Sequence, residues 1–354
     1  MATEDARYRQ SSQFRLWSFS PSSLQELRRK TNSLARQQIA PRLPADPPPE
    51  PLNVDEELQL VKFYTVELLR AAEFCKIPTD SRSTAAIFLR RFYVTNSIMT
   101  YPPTELLKTC LFFGCKADGV YYPLGQLAKM FPNTTSEQIL AGEYLLCQGL
   151  RFAFDVRHPL RPLEGAILEL RKRFPDEERR IQKAHARTRE ILKFSSLMTD
   201  AYFHFSPSQI MMAALLMVDE ELVDRLLPPV SPGDASADPA RATGLHSSLR
   251  DKIMLTIKSC RTMLEEERPE RMKEFWGPEN VKHLKPLRRR LKQSRDPDRA
   301  DLVALQRARR DYAAKQDKKK ADGTEDGAVF GDNDSRDAKR RKVEKQDDVF
   351  GPPL

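Results

Sequence analysis

The sequence is poor in what catalytic and metal-binding sites are usually built from. It has no G-x-x-x-x-G-K-[ST] phosphate loop, no G-x-G-x-x-G following a strand, no G-x-S-x-G nucleophile elbow and no H-E-x-x-H pair. Hardly any segment alternates apolar and polar residues, so there is no sheet on which an α/β active site could be mounted. The histidines, His158, His185, His204, His246 and His283, share no H-x-x-x-H spacing. The cysteines, Cys75, Cys110, Cys115, Cys147 and Cys260, share no C-x-x-C. Metal, cofactor and enzymatic activity are therefore not expected. Most of the cysteines fall in apolar helical patterns and read as small core residues of a reducing compartment. The opening residues, MATEDARYRQSSQ, lack the apolar core of a signal peptide, which places the chain in the cytosol or nucleus. Glycine is sparse, 13 residues against 26 prolines. The prolines gather at 41–51 and 228–239, where loops are expected.

What is present is charge and helical periodicity. The net charge of +9 suits a polyanionic partner, or else it sits on exposed helix faces and a solvated tail. Residues 1–13 are polar and expected to be mobile. Ser20-Pro21 caps a helix that runs to Ile39, with Leu24, Leu27, Thr31 and Leu34 on one face. The prolines of 41–53 exclude regular structure there. An amphipathic helix spans Val54–Phe74 and closes at Ile77-Pro78. A short helix follows at 124–130, then one capped by Ser136 that runs to Leu150. Counting the two helices of 84–118, these make a compact all-α unit. Residues 228–247 read as a flexible loop, after which a helix resumes from Leu249 through Met263 with Ile253, Ile257 and Cys260 inward. A charged helical extension occupies 276–316, its last helix from Asp298 to Lys315. Residues 317–354 carry too little apolar content to fold alone.

The stretch Thr84–Asp118 is the structural centre. Ala85, Phe88, Leu89 and Phe92 mark one face of a helix, while Arg90, Arg91 and Tyr93 point elsewhere. Tyr101-Pro102-Pro103-Thr104 breaks the chain. A second helix, Glu105–Lys116, is apolar around nearly its whole circumference and must be buried among others. Its apolar run is about half of the ~20 residues that span a bilayer, which excludes a membrane span. Aligning Pro103 with Pro207 sets YPPTELLKTCLFFG against FSPSQIMMAALLMV, an offset of 104 residues that reads as a duplicated domain. Two charges are misplaced. Lys116 ends the most apolar helix, and Glu143 lies on the stripe Ile139, Glu143, Leu146, Leu150. Either they are partnered or at the rim of a site, or Lys116 snorkels at a helix C-terminus and Glu143 faces water.

These residues resemble the cyclins. FLRRFYVTNSI, TCLFFGCKAD and EQILAGEYLL with LRFAF look like a first cyclin box, and residues 162–275 like a more divergent second. SSQFRLWSFS, RFYVTNSIMTYPP, RPLEGAILELRKRFP and TDAYFHFSPSQIMMAAL resemble the transcriptional, H-like branch of the family. The resemblance implies an all-α fold of two tandem five-helix boxes, at 54–160 and 161–275, the second carrying the loop insertion 228–247. An N-terminal extension occupies 1–53, a C-terminal helical extension 276–316 and a disordered basic tail 317–354. It implies a non-catalytic regulatory subunit that activates a cyclin-dependent kinase. By the same resemblance the chain assembles with a RING-finger subunit on the TFIIH core, serving RNA polymerase II tail phosphorylation and cell-cycle kinase activation in the nucleus. The kinase-binding residues carried over are Lys116, Glu143, Asp118, Cys147, Leu150, Phe152 and Phe154. Gly119 replaces the second acid of the C-K-x-[DE]-[DE] motif, and EELQLVKF lacks the M-R-x-x-L-W substrate-docking patch. Lys339, Arg340, Arg341 and Lys342 form a candidate nuclear-import run. No membrane partner is expected, nor direct nucleic-acid binding. The competing reading is a TFIIB-like protein of two cyclin-like repeats, whose basic region 282–290 would touch phosphate, although the zinc-ribbon cysteines of that family are missing.

Overall fold

The computed structural model describes residues 4–43, 49–227, 239–275, 277–299 and 301–322. The chain is 76% helical, with no strand among the described residues. It divides into a compact unit, Met1–Gln306, and a second, Arg307–Leu354, of which a helical stretch to Asp322 is described. No helix among the described residues is long and apolar enough to cross a membrane.

Three helices open the first unit: α1 (Glu4–Gln10), α2 (Ser12–Trp17) and α3 (Pro21–Ile39). Residues 4–13 are therefore ordered, against the expectation. Tyr8 meets Phe14 edge-on at 5.5 Å, and Gln13 Oε1 accepts the Arg157 backbone N–H at 2.7 Å, so the polar segment is tied down by aromatic packing and long-range hydrogen bonding. Ser20 caps α3, accepting from the Ser23 N–H at 3.1 Å. The buried face of α3 continues from Leu24 to Ala35 and Ile39, leaving Leu34 41% exposed where an inward position was expected.

Next come α4 (Val54–Phe74), α5 (Thr79–Thr95), α6 (Pro103–Ala117), α7 (Leu124–Lys129), α8 (Ser136–Ala141) and α9 (Glu143–Gly149). Asn53 and Glu56 form a reciprocal capping box at the start of α4. Helices α5 and α6 are the centre the periodicity marked, buried on nearly every side. They approach so closely that a Cβ at Gly114 would lie 2.9 Å from that of Ala85. The single helix expected from Ser136 to Leu150 is instead two, and its cap is Thr135. Thr109 Oγ1 donates to the Ile139 carbonyl at 2.8 Å, the acceptor that a continuous helix would offer to Glu143 N–H, so the chain breaks at Gly142.

The chain continues with α10 (Leu160–Arg173), α11 (Glu178–Met198), α12 (Ala201–His204), α13 (Pro207–Leu216), α14 (Glu220–Leu226) and α15 (Pro239–Glu265). The aligned pairs Leu106 and Ile210, Cys110 and Ala214, Leu111 and Leu215 are all fully buried. Helix α15 begins at Pro239, so 239–247 is helical where a loop was expected, and the rest of that call lies outside the described residues. The inward set on α15 includes Ile257 and Cys260. Then come α16 (Arg271–Glu274), α17 (Pro278–Gln293) and α18 (Leu302–Asp322). Leu284, Leu287 and Leu291 give α17 a buried face, and Arg290 clamps it to Glu56 of α4 at 2.5 Å. Helix α18 is anchored at its first turn by Leu302, Val303 and Leu305, and passes residue 317 on Ala, Gln, Lys and Arg, which favour helix. The KRRK run at 339–342 lies outside the described residues.

One part-buried carboxylate is expected to make stability depend on pH. Glu57 of α4 accepts a hydrogen bond from the buried Ser97 hydroxyl. Burial pushes its carboxyl up to about 7, against the opposing pull of Ser97 and Asn32. A folded-state pKa above the unfolded one means that the native state holds the proton more tightly. Stability is therefore greatest below the unfolded pKa of about 4.3 and falls as pH rises through 7. Glu57→Gln is expected to stabilise the protein at pH 8 by on the order of 2 kcal/mol and to change little at pH 4.5. Denaturant titrations at the two pH values check this, and parallel pH slopes for both proteins would refute it.

Candidate partner-binding surface

Helix α6 is rooted in the core by Leu106, Cys110 and Leu111 and carries Lys116 out on its last turn. The Lys116 ammonium lies 5.9 Å from the Phe113 ring centroid and 2.5 Å from Glu143 Oε1. Because the chain breaks at Gly142, Glu143 leaves the stripe on which periodicity placed it. Ile139, Leu146 and Leu150 are fully buried, while Glu143 stands at the rim, its side chain 21% exposed against 58% for Lys116. Both sequence readings meet here: the lysine does snorkel, and the two charges are each other's partner. An ion pair this exposed contributes only about 0–1 kcal/mol to stability.

Beside the pair runs an aromatic ledge. Phe154 meets Phe113 at 5.0 Å and Phe88 at 6.5 Å, anchoring the ledge in the core. Phe152 is 60% exposed and contacts Phe154 and Tyr144, at 6.3 and 6.4 Å. Cys147 is half-buried at its edge. Leu150 is fully buried and supports this surface from below, which corrects its expected place on it. Tyr144 was missed, and its signal is an exposed aromatic one residue off the apolar stripe.

The turn that presents Phe152 is strained. Arg151 and Phe152 have φ of 53° and 55°, two consecutive left-handed residues with neither glycine nor asparagine to ease them. Such positions cost on the order of 1–3 kcal/mol each and persist only where surroundings fix them. Three backbone bonds close the turn: Arg151 N–H to Gln148, Phe152 N–H to Cys147 and Ala153 N–H to Leu150. Behind it lies Trp17, fully buried, with the guanidinium groups of Arg91 and Arg151 over its rings at 5.3 and 5.4 Å. Arg91 also donates to the Asp155 carbonyl at 3.3 Å.

Asp118 caps the C-terminus of α6 and is exposed, with one carboxylate oxygen held from the inside. Burial, and then neighbouring Arg91, push His158 down to about 3, so its imidazole is neutral. Its Nδ1 lies 2.9 Å from the Tyr202 hydroxyl and its Nε2 2.9 Å from Thr84 Oγ1, which donates onward to Asp118 Oδ1 at 3.2 Å. The threonine proton is committed to the carboxylate, so Nε2 carries the hydrogen and Nδ1 accepts from Tyr202. Gly119 follows with φ of +70°, a conformation an acidic residue would take only under strain. The missing acid of the motif thus reflects the turn.

A family model described as the cyclin C-terminal domain matches residues 158–265. Cyclin mcs2 of Schizosaccharomyces pombe is 32% identical over 221 residues, spanning 59% of this chain and 68% of that protein. The probable cyclin-H of Echinococcus multilocularis is 30% identical over 247 residues, spanning 61% and 73%. Against further curated relatives the chain spans between 53% and 61% of their length. Among solved structures, a chain of the CAK complex of Chaetomium thermophilum bound to ATP-gamma-S is 49% identical, with a TM-score of 0.80 over 94% of this chain and all of that one. A chain of the yeast TFIIK (Kin28/Ccl1/Tfb3) complex is 28% identical, with a TM-score of 0.56 over 73% of this chain and all of that one.

Proposed function

We propose that this chain, which belongs to the cyclin H family of cyclins, binds and activates a cyclin-dependent kinase as a non-catalytic subunit. The observation that carries the reading is the exposed Lys116–Glu143 pair beside the ledge of Tyr144, Phe152 and Phe154. The pair adds little to the chain's own stability, yet charged groups flanking an apolar ledge suit a partner helix whose backbone must be held in one position. Activation then follows from differential binding. The surface fits the kinase conformation in which the N-lobe helix brings its glutamate to the catalytic lysine, and the population shifts toward that state.

The surface belongs to a first box at 54–160, with the second at 161–275. The similar chains come from CAK and TFIIK assemblies, the latter named with Kin28 and Tfb3, which supports a kinase and a RING-finger assembly subunit as partners. Attachment to the TFIIH core, phosphorylation of the RNA polymerase II tail and a nuclear location complete the proposal. The competing reading, nucleic-acid binding, would use the exposed cations Lys282, Lys285, Arg288 and Arg289 of α17. Purification from the native source at moderate salt separates the two. A protein kinase that co-purifies and loses activity when the chain is stripped away supports the cyclin reading, whereas double-stranded DNA in place of a kinase overturns it.

A further inference from the structure

We propose that Trp17 is a positioning residue for this surface: through Arg151 it pins the left-handed turn that presents Phe152. The inference rests on the kinase-binding reading and assigns a task to the N-terminal segment within it. That segment touches the strip 151–157 through Gln13 and Trp17. Gln13 Oε1 accepts the Arg157 N–H at 2.7 Å, and Trp17 takes the Arg151 guanidinium over its rings at 5.4 Å. A second support comes from Arg91, whose guanidinium lies over the same indole at 5.3 Å and donates to the Asp155 carbonyl. A planar cation over an indole is a directional contact, strengthened here by exclusion of water from the fully buried Trp17. Among the described residues the indole N–H has no hydrogen-bond partner, and the two guanidinium groups lie over the ring. Phe152 meets the ledge rings of Tyr144 and Phe154 and is mostly exposed, so its direction is set chiefly by the backbone of the turn.

The test uses the full chain and its co-purified kinase subunit, with affinity by calorimetry and stability by thermal melting. Trp17→Leu and Arg151→Gly are each expected to weaken kinase binding about tenfold. Arg151→Gly should melt no lower than the parent, because glycine takes positive φ freely. Trp17→Phe, which keeps a ring face, should bind within about twofold of the parent. In a Phe152→Ala background, Trp17→Leu should cost nothing further, since the residue it positions has gone. An additive loss in that double variant overturns the proposal. So does parental affinity in Arg151→Gly when Phe152→Ala is weakened, which leaves the surface itself standing. Parental affinity in both Phe152→Ala and Lys116→Glu removes the kinase-binding surface and the brace with it. Should Trp17→Leu fail to fold, Arg151→Gly decides.

Discussion

Lys116→Glu is expected to weaken kinase binding about a hundredfold and to leave the melting temperature nearly unchanged. The two halves of this expectation have different physical sources. Within the free chain the lysine is mostly exposed and its pair with Glu143 is screened by water, so exchanging it loses at most about 1 kcal/mol. Under a docked partner the same charges lose water, and truncating or reversing one member of a desolvated pair costs on the order of 2–5 kcal/mol. A hundredfold loss is about 2.7 kcal/mol, inside that range. The exchange Lys116→Glu with Glu143→Lys sharpens the test. It restores an ion pair within the chain but presents the charges in reverse order, so stability should recover and kinase affinity should not. Calorimetry with the isolated kinase subunit measures both, and an unchanged dissociation constant in Lys116→Glu would remove Lys116 from the site.

The largest loss of stability is expected from Asp200→Ala, about 3 kcal/mol by denaturant titration. Asp200 joins three parts of the chain. Its carboxylate takes Arg28 of α3 in a fork at 2.7 and 2.8 Å and Arg90 of α5 at 2.6 Å. Arg90 is buried and also donates to the carbonyls of Leu197 and Thr199. Burial pulls Arg90 down to about 10, still protonated at neutral pH, so removing the carboxylate leaves a buried cation without its counter-charge. Burial alone would raise the Asp200 carboxyl, but the Arg28 and Arg90 guanidinium groups outweigh it and hold it well below the usual carboxylate range. A depressed folded-state pKa contributes stability above the unfolded value of about 3.9 and loses it as pH falls below that. The variant should therefore lose part of the acid limb as well as the plateau. A change under about 1 kcal/mol, or an unaltered acid limb, would show that the packing of α3 and α5 does not depend on this cluster.

The sequence made the helices of the first box legible where each reports its own environment. Val54–Phe74 has an Asn cap, a proline stop and one apolar face, and the helix found has those bounds. Residues whose role is set by distant partners were harder to read. Arg90 and Arg91 could be seen to leave the apolar face of α5, but not to be buried, because their acceptors lie at Leu197 to Asp200 and Ala153 to Asp155. The break at Gly142 depends on the Thr109 hydroxyl of another helix, which no local pattern encodes. Lys116 and Glu143 were legible as misfits of periodicity, and their pairing answers the misfit. Leu150 was carried onto the surface by resemblance, while the stripe it shares with Ile139 and Leu146 already pointed inward.

The two spine helices differ in length. Helix α6 has 15 residues and α13 has 10, so the second copy stops about 6 Å short of the place where the first delivers its lysine. At the aligned position stands Glu220, exposed on the first turn of α14 and opposite in charge. A chain made of two like units could in principle be bivalent and bridge two kinases. Truncation and charge inversion of the second spine remove the lysine that the proposed surface needs, so on that proposal one chain is expected to engage one kinase.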